Sequence, residues 1–182
     1  RLAARTKDAA VMESGLRRPA PVYDPARGLL HNEHFQLGYV TNDLERAMDV
    51  FTRRFGVTRF RENDADLPCG GRICTRTVWL GAMMYEIAMG YGEGMEVFSD
   101  PAPQGADFVL KFHHFGYLVP DDAAWSKLED TIALSGLRII KPSDIAGYVR
   151  TCFVEVPEID HLLEYIQPRE GLLARMNETP IA

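Results

Sequence analysis

The chain of 182 residues has 26 acidic and 20 basic side chains, giving a net charge of −6, and 46% of its residues are hydrophobic. This composition is typical of a globular protein with a real core, and the acidic balance argues against a nucleic-acid partner. No apolar run approaches the roughly 20 residues of a membrane-spanning helix, so no membrane partner is expected. Three cysteines without metal-binding spacing, and the lack of a signal peptide, predict reduced thiols in the cytoplasm.

The first half of the chain predicts an arm followed by a β-α-β-β-β module. Residues 1–30 contain prolines and no sustained period, which indicates an extended N-terminal arm. The module, 31–92, begins with a strand at 33–40, and Asp43 caps a helix that ends at Gly56. Three strand-like runs complete the module, at 57–62, 72–80 and 83–89.

The same order of elements returns after a linker rich in glycine and proline, 93–110. The second module, 111–168, opens with the strand "FHHFGYLV", and Asp121 or Asp122 caps a helix closed by Gly136. Three further strand-like runs and a C-terminal tail or short helix follow, at 137–141, 147–155, 161–167 and 169–182. The predicted fold class is therefore α+β, with two tandem βαβββ modules.

The two modules also match residue by residue. The stretch "QLGYVTND" (36–43) aligns with "HFGYLVPD" (114–121) at an offset of 78 residues, sharing a central Gly-Tyr pair and a final aspartate. The same offset relates Glu86 in "MMYEIAM" to Glu164 in "HLLEYIQ". Each module therefore has a polar residue early in its first strand and a glutamate in its last strand.

These four polar residues point to a metal site. Strand alternation places them among apolar neighbours on the face that turns inward, where an ionised carboxylate is costly unless it is paired or bound to a metal. Each residue alone is more often a satisfied structural residue, but the shared offset favours a joint site. We expect one divalent cation, Zn, Ni, Co, Mn, Fe(II) or Mg, with open positions for water or substrate. Its predicted ligands are Gln36, Glu86, His114 and Glu164.

Neighbouring residues on the same strands predict an apolar substrate pocket. Its predicted members are His34, Met84, Ala88, Phe112, Leu162 and Ile166. His34 shares the face of Gln36 in this register and would replace it as a ligand if the alignment were displaced by two residues. Alternation directs His113 to the outer face of the sheet, as an ordinary polar residue.

The repeated module resembles the vicinal oxygen chelate superfamily, which includes glyoxalase I, methylmalonyl-CoA epimerase, extradiol dioxygenases and bleomycin-resistance proteins. The resemblance covers about residues 33–168 and rests on "QLGYVTNDLERAMDVFTRRFGV", "HFGYLVPDDAAWSKLED" and the glutamates of "YEIAM" and "LLEYIQP". It implies that both modules form one cupped mixed sheet around one metal, with a ligand from the first and last strand of each. Among the members, glyoxalase I and methylmalonyl-CoA epimerase are the most similar.

The resemblance also implies a reaction. A metal-dependent isomerase, epimerase or lyase would remove a proton next to the carbonyl of a hydrophobic small molecule, through a metal-bound enolate. By analogy with glyoxalase I, Glu164 is the first choice for the catalytic base and Glu86 the second. Val40 and Gly90 stand where glyoxalase I has an arginine and an asparagine, which argues against glutathione as the substrate carrier. A homodimer is expected.

Two other functions stay open. A drug-binding protein of the same fold would need no metal, and the acidic charge and apolar pocket suit it, although the retained ligand set counts against it. An Fe(II) ring-cleaving dioxygenase would need His34 in place of Gln36. The sequence also leaves open whether the modules pair within one chain or across a swapped dimer.

Overall fold

A computed structural model describes residues 23–182 of the chain. The strands are Glu33–Thr41 (β1), Arg61–Asp66 (β2), Arg72–Leu80 (β3), Met83–Tyr91 (β4), Leu110–Leu118 (β5), Arg138–Ile139 (β6), Ser143–Ile145 (β7), Val149–Glu155 (β8) and Leu162–Pro168 (β9). The α-helices are Leu44–Phe55 (α1), Glu96–Ser99 (α2), Asp122–Leu134 (α3) and Glu170–Asn177 (α4). Within 23–182, every helix is too short or too polar to cross a membrane.

In the described chain, one mixed sheet joins all nine strands. Its order is β2-β3-β4-β1-β5-β9-β8-β6, with β7 paired to β8. Within each module the first and last strands are parallel neighbours, β1 with β4 and β5 with β9. The antiparallel pair β1 and β5 joins the two modules edge to edge. The predicted α+β fold, with two tandem βαβββ modules in one cupped sheet, is confirmed, and the modules pair within one chain.

The two long helices begin at the same position of the repeat. The Asp43 carboxylate accepts a hydrogen bond from the backbone N–H of Arg46 at 3.0 Å, which caps α1. Asp121 caps α3 in the same way, accepting from the N–H of Ala124 at 2.7 Å, so Asp121 is the cap of the two predicted aspartates. At its C-terminal end α1 stops at Gly56, whose φ of 74° suits glycine.

Each helix covers its own module on the outer face of the sheet. The α1 cluster consists of Leu44, Ala47, Phe51, Val57, Cys74, Val78 and Ile87. The α3 cluster consists of Tyr117, Val119, Trp125, Leu128, Ile132, Cys152, Val154, Leu163 and Tyr165. Because these two clusters fill the helix-covered face, the opposite, inner face is left for other contacts.

The second strand begins later than predicted. Val57 and Phe60, which suggested a strand at 57–62, pack into the α1 cluster, and β2 runs over Arg61–Asp66. This strand lies at the edge of the sheet, and its outward carboxylates form ion pairs with arginines of β3. Charged side chains are typical of an edge strand, since they discourage pairing with another chain.

The predicted linker, 93–110, is partly helical and partly buried. Its helix α2 lies against β4, and Met95, Phe98 and Ala102 are buried with residues of the inner face. One end of the inner face is therefore filled by the segment between the modules.

Smaller differences concern the second module and the two ends of the chain. The run predicted at 137–141 contains only β6, and β7 follows as a separate short strand. The predicted C-terminal segment, 169–182, contains α4. Most of the predicted arm lies outside the described residues, but Pro25–Arg27 form one turn of 3-10 helix, and the Thr131 hydroxyl of α3 donates to the Pro25 carbonyl at 2.9 Å.

Candidate metal centre

A β-bulge precedes the predicted ligand in the first strand of each module. The β1–β5 register shifts between His34 and Gln36, and shifts again opposite His114, so Phe35 and His113 are the extra residues. These two residues are 78 positions apart, which makes the bulge part of the repeat. A bulge interrupts the alternation of side chains along a strand, and the faces predicted from alternation are wrong on one side of each bulge.

The bulge in β5 brings His113 to the inner face. Its Nδ1 atom is 2.8 Å from Nδ1 of His114, and its ring packs against Phe98 and Phe153 at centroid distances of 5.7 and 5.8 Å. The prediction that His113 faces outward is therefore wrong. Phe112 is displaced the other way: its ring lies 5.7 Å from that of Tyr39 on the outer face, so it does not share the face of His114.

The bulge in β1 separates His34 from Gln36. The His34 ring lies on the outer face, 4.9 Å from the ring of Phe115 and 5.2 Å from that of Tyr117. The prediction that His34 shares the face of Gln36 is wrong, and His34 is not placed to replace Gln36 as a ligand. The dioxygenase alternative loses the histidine on which it depended.

Two glycines make room for the ligands across neighbouring strands. Gly38 of β1 pairs with Glu86 on one side and with His114 on the other. A Cβ atom at Gly38 would lie 1.9 Å from Cε1 of His114, because the imidazole lies over the glycine.

Gly116 is the counterpart of Gly38 in the second module. It pairs with Gln36 on one side and with Glu164 on the other. A Cβ atom there would lie 2.7 Å from Cβ of Gln36 and 3.0 Å from its Oε1 atom. The glycine shared by both modules thus has a physical cause, since the glycine of each module lies beneath the first-strand ligand of the other.

The four predicted ligands lie together on the inner face. One ligand atom from each of Glu86, His114 and Glu164 lies within 4.8 Å of the other two. Nε2 of His114 is 3.1 Å from Oε2 of Glu164 and 3.6 Å from Oε2 of Glu86. Gln36 is fully buried beside Gly116, on the same row of paired residues as Glu164.

The donor atoms of this cluster fit a divalent cation. Within the described residues, Oε1 of Gln36 is buried without a hydrogen-bond partner, and the buried Nε2 of His114 and Oε2 of Glu164 have no partner except each other, at 3.1 Å. A buried polar atom without a partner is costly, and the His114–Glu164 contact is a hydrogen bond only while a proton lies between the two atoms. A cation with one nitrogen and several oxygen ligands would satisfy all three atoms.

His113 determines the tautomer of His114. Nε2 of His113 lies 2.8 Å from the carbonyl oxygen of Val97, which only accepts, so this nitrogen donates its proton. When His113 is neutral, its Nδ1 therefore accepts the hydrogen bond from Nδ1–H of His114. Nε2 of a neutral His114 is left with a lone pair directed at the glutamates, as a metal-binding imidazole requires. The histidine doublet in the sequence was the signal for this role, but strand alternation predicted the wrong face for His113.

The cluster also shifts the pKa values of its members. Burial lowers the pKa of His113 to about 3, and the neighbouring His114 adds to this effect. Burial also lowers the pKa of His114, but Glu164 and Glu86 outweigh it and raise the pKa to about 9. Burial raises the pKa of Glu164, against the opposing effect of His114. A cation at the cluster would compete with the proton on His114.

The cluster opens into a cleft of about 180 Å³. Of the predicted pocket residues, Met84 and Ile166 line this cleft. Ala88 and Leu162 do not, because the residues of α2 and its flanks cover them at the other end of the inner face. Sequence patterns did not predict that α4 and β2 contribute to the cleft, which they do through Leu172, Met176, Arg61 and Asn63.

Comparison with known proteins identifies the fold. No family model matches the sequence, and no curated protein matches it. Methylmalonyl-CoA epimerase from Mycobacterium tuberculosis is similar in structure, with 18% identity, a TM-score of 0.52, and 78% of this chain and 91% of that chain covered. A hypothetical protein from Bacillus halodurans C-125 gives 15% identity, a TM-score of 0.52, and 76% and 96% coverage.

A methylmalonyl-CoA epimerase solved in complex with methylmalonyl-CoA and NH4+ is similar to the same degree. It is 15% identical, with a TM-score of 0.51, and the match covers 77% of this chain and 96% of that chain. The chain therefore has the vicinal oxygen chelate fold that the sequence resemblance implied.

Proposed function

We propose that this protein is a metal-dependent isomerase, epimerase or lyase that removes a proton from the carbon next to a carbonyl of a hydrophobic small molecule. The main support is the cluster of Glu86, His114 and Glu164, with ligand atoms within 4.8 Å of one another, and the buried Oε1 of Gln36 on the same row of paired residues as Glu164. The similar fold of the methylmalonyl-CoA epimerases agrees with this reaction class. A homodimer and a cytoplasmic location stay predictions from the sequence.

One divalent cation, Zn, Ni, Co, Mn, Fe or Mg, would be held by Gln36, Glu86, His114 and Glu164. When bound there, the ion would withdraw charge from the substrate oxygens, which would make the neighbouring C–H group more acidic. His113 keeps Nε2 of His114 directed at the cluster, and the bulges hold both first-strand ligands on the inner face.

Glu164 is the proposed base, and Glu86 is the second choice. Oε2 of Glu164 is buried and lies 3.1 Å from Nε2 of His114, so it has a lone pair for a proton when that nitrogen carries none. Burial raises the pKa of this carboxyl, which makes its carboxylate a stronger base. The Glu86 side chain is 17% exposed and also faces the cleft. Met84 and Ile166, with α4, provide an apolar wall for the substrate body.

Two substitutions of Glu164 distinguish its role in metal binding from its role as the base. We expect stoichiometric metal in the purified protein by elemental analysis, and its loss in Glu164→Ala. Glu164→Gln keeps an oxygen ligand but removes the base, so its metal should stay. Its exchange of substrate protons for deuterium in D2O should fall by about 10²-fold or more.

The substrates for the exchange are α-hydroxy and α-keto compounds, followed by NMR, and exposed Glu158→Ala is the matched control. Absence of exchange by metal-loaded protein would contradict the proposed reaction. A metal-free protein that still binds such compounds would instead favour the drug-binding alternative.

A further inference from the structure

Arg61, the first residue of β2, lines the same cleft as Glu86 and Glu164. Its Nη1 atom donates a hydrogen bond to the carbonyl of Arg175 on α4, at 2.8 Å. Because α4 also lines the cleft, this bond holds the guanidinium group between the edge of the sheet and the C-terminal helix. None of its other N–H groups has a hydrogen-bond acceptor among residues 23–182.

Arg61 is a half-buried cation without a counter-ion in the described chain. The carboxylates of its own strand alternate to the opposite face, where Glu62 and Asp64 pair with Arg76. A partly buried charge without a partner is unfavourable, and the ligand that would balance it is an anion in the cleft.

The pairing of the strands sets the distance from Arg61 to the metal cluster. Arg61 pairs with Thr77, and Thr77 pairs with Glu86, so the three side chains form one row on the inner face. At about 4.8 Å between neighbouring strands, the Cα atoms of Arg61 and Glu86 are on the order of 10 Å apart. A substrate held at the cluster by its carbonyl group would reach Arg61 with a group several bonds away.

A second arginine lies at the same rim of the cleft. Nη1 of Arg175 donates to Oδ1 of Asn63 at 2.6 Å, and its guanidinium centre is 5.8 Å from the centre of the Tyr148 ring. Arg175 also forms no ion pair within residues 23–182. The whole chain has a net charge of −6, yet within residues 23–182 the two arginines of this rim have no carboxylate partner, an arrangement that attracts anions.

We infer that Arg61 binds an anionic end group of the substrate while the carbonyl group lies at the cluster of Gln36, Glu86, His114 and Glu164. This inference rests on the proposed function and narrows its substrate class to hydrophobic carbonyl compounds that carry a carboxylate or a similar oxyanion several bonds from the reacting carbon. The guanidinium plane can hold such a group with two parallel hydrogen bonds.

Two matched probes test this inference by calorimetric titration of the Zn²⁺-loaded protein. Octanohydroxamic acid and suberic monohydroxamic acid share a metal-binding head and an eight-carbon chain, and only the second ends in a carboxylate. We expect the wild type to bind the carboxylate probe about tenfold more tightly. Arg61→Gln should abolish this preference and leave the affinity for octanohydroxamic acid within about twofold of the wild type.

Two further variants exclude indirect effects. Arg61→Lys keeps the charge and should keep part of the preference. Exposed Arg59→Gln changes the net charge equally and should keep the full preference. Equal binding of both probes by the wild type, or an unchanged preference in Arg61→Gln, would overturn the anion site at Arg61 and leave the proposed metal centre unaffected. If neither probe binds, the metal centre of the proposed function fails, and the anion site fails with it.

Discussion

The first strands of the two modules share a backbone pattern but provide different ligand side chains. Both β1 and β5 contain a bulge, a ligand directly after it, and a glycine two residues later. In β1 the bulge residue is Phe35 and the ligand is Gln36, whereas in β5 they are His113 and His114. The duplicated frame therefore conserves where a ligand lies, while the side chains decide whether that ligand is a neutral amide or an imidazole oriented by a second histidine.

The largest effect on stability and metal binding is expected where β1 and β5 pair beneath the ligands. Gly38→Ala would place a Cβ atom 1.9 Å from the imidazole of His114, so the ring must move away from the glutamates. We expect a loss of about 3 kcal/mol in the free energy of unfolding, measured in urea, together with loss of the bound metal. Gly116→Ala should cost less, because its nearest contact is 2.7 Å, to Cβ of Gln36. An equal or larger cost at Gly116 would contradict the assigned packing.

The two bulge residues, His113 and Phe35, are expected to differ in their effect on metal affinity. His113→Phe keeps a ring between Phe98 and Phe153 but removes the acceptor for Nδ1–H of His114. We expect the metal affinity to fall by about 10- to 100-fold, as measured by competition with a chelator, because the orienting partner of the ligand is lost.

Phe35→Leu is the matched control at the equivalent position of the repeat. It should change the metal affinity by less than about twofold, since no orienting hydrogen bond is removed. His113→Gln retains a donor and an acceptor and should recover part of the affinity. If His113→Phe binds metal as tightly as the wild type, His113 does not position His114.

The third and smallest effect is a pH dependence that belongs to the second module. The glutamates raise the pKa of His114 to about 9, above the ordinary value near 6.5. A raised pKa means that the pairing stabilises the folded protein fully below about pH 6.5 and that this contribution is lost as the pH rises toward about 9. In protein treated with EDTA, urea unfolding should lose on the order of 1 kcal/mol over this interval.

His114→Gln should remove this dependence, because the site would then carry an amide in both modules. The glutamine at the corresponding position of β1 does not titrate, so Gln36→Ala should leave the slope of stability against pH unchanged. A slope that persists in His114→Gln would assign the titration to another group.

How far the sequence predicts the site depends on the kind of residue. The four predicted ligands come together because the repeat places them at equivalent positions of a symmetric sheet, and the sequence shows that repeat directly. The pocket residues were predicted less accurately. Met84 and Ile166 line the cleft, whereas Phe112 and His34 lie on the outer face, and Ala88 and Leu162 are covered by the α2 region.

Local patterns in the sequence determined the helices with their aspartate caps, most of the strands, the duplication and the equivalence of the four ligands. These features depend on neighbouring residues and on an offset along the chain, so no knowledge of distant contacts is needed. The tertiary structure alone decided the two bulges, the inward direction of His113, the coverage of one end by α2 and the placement of Arg61 beneath α4. Each depends on which strand or helix lies alongside, because a bulge exists only relative to its partner strand, and burial depends on segments far away in sequence.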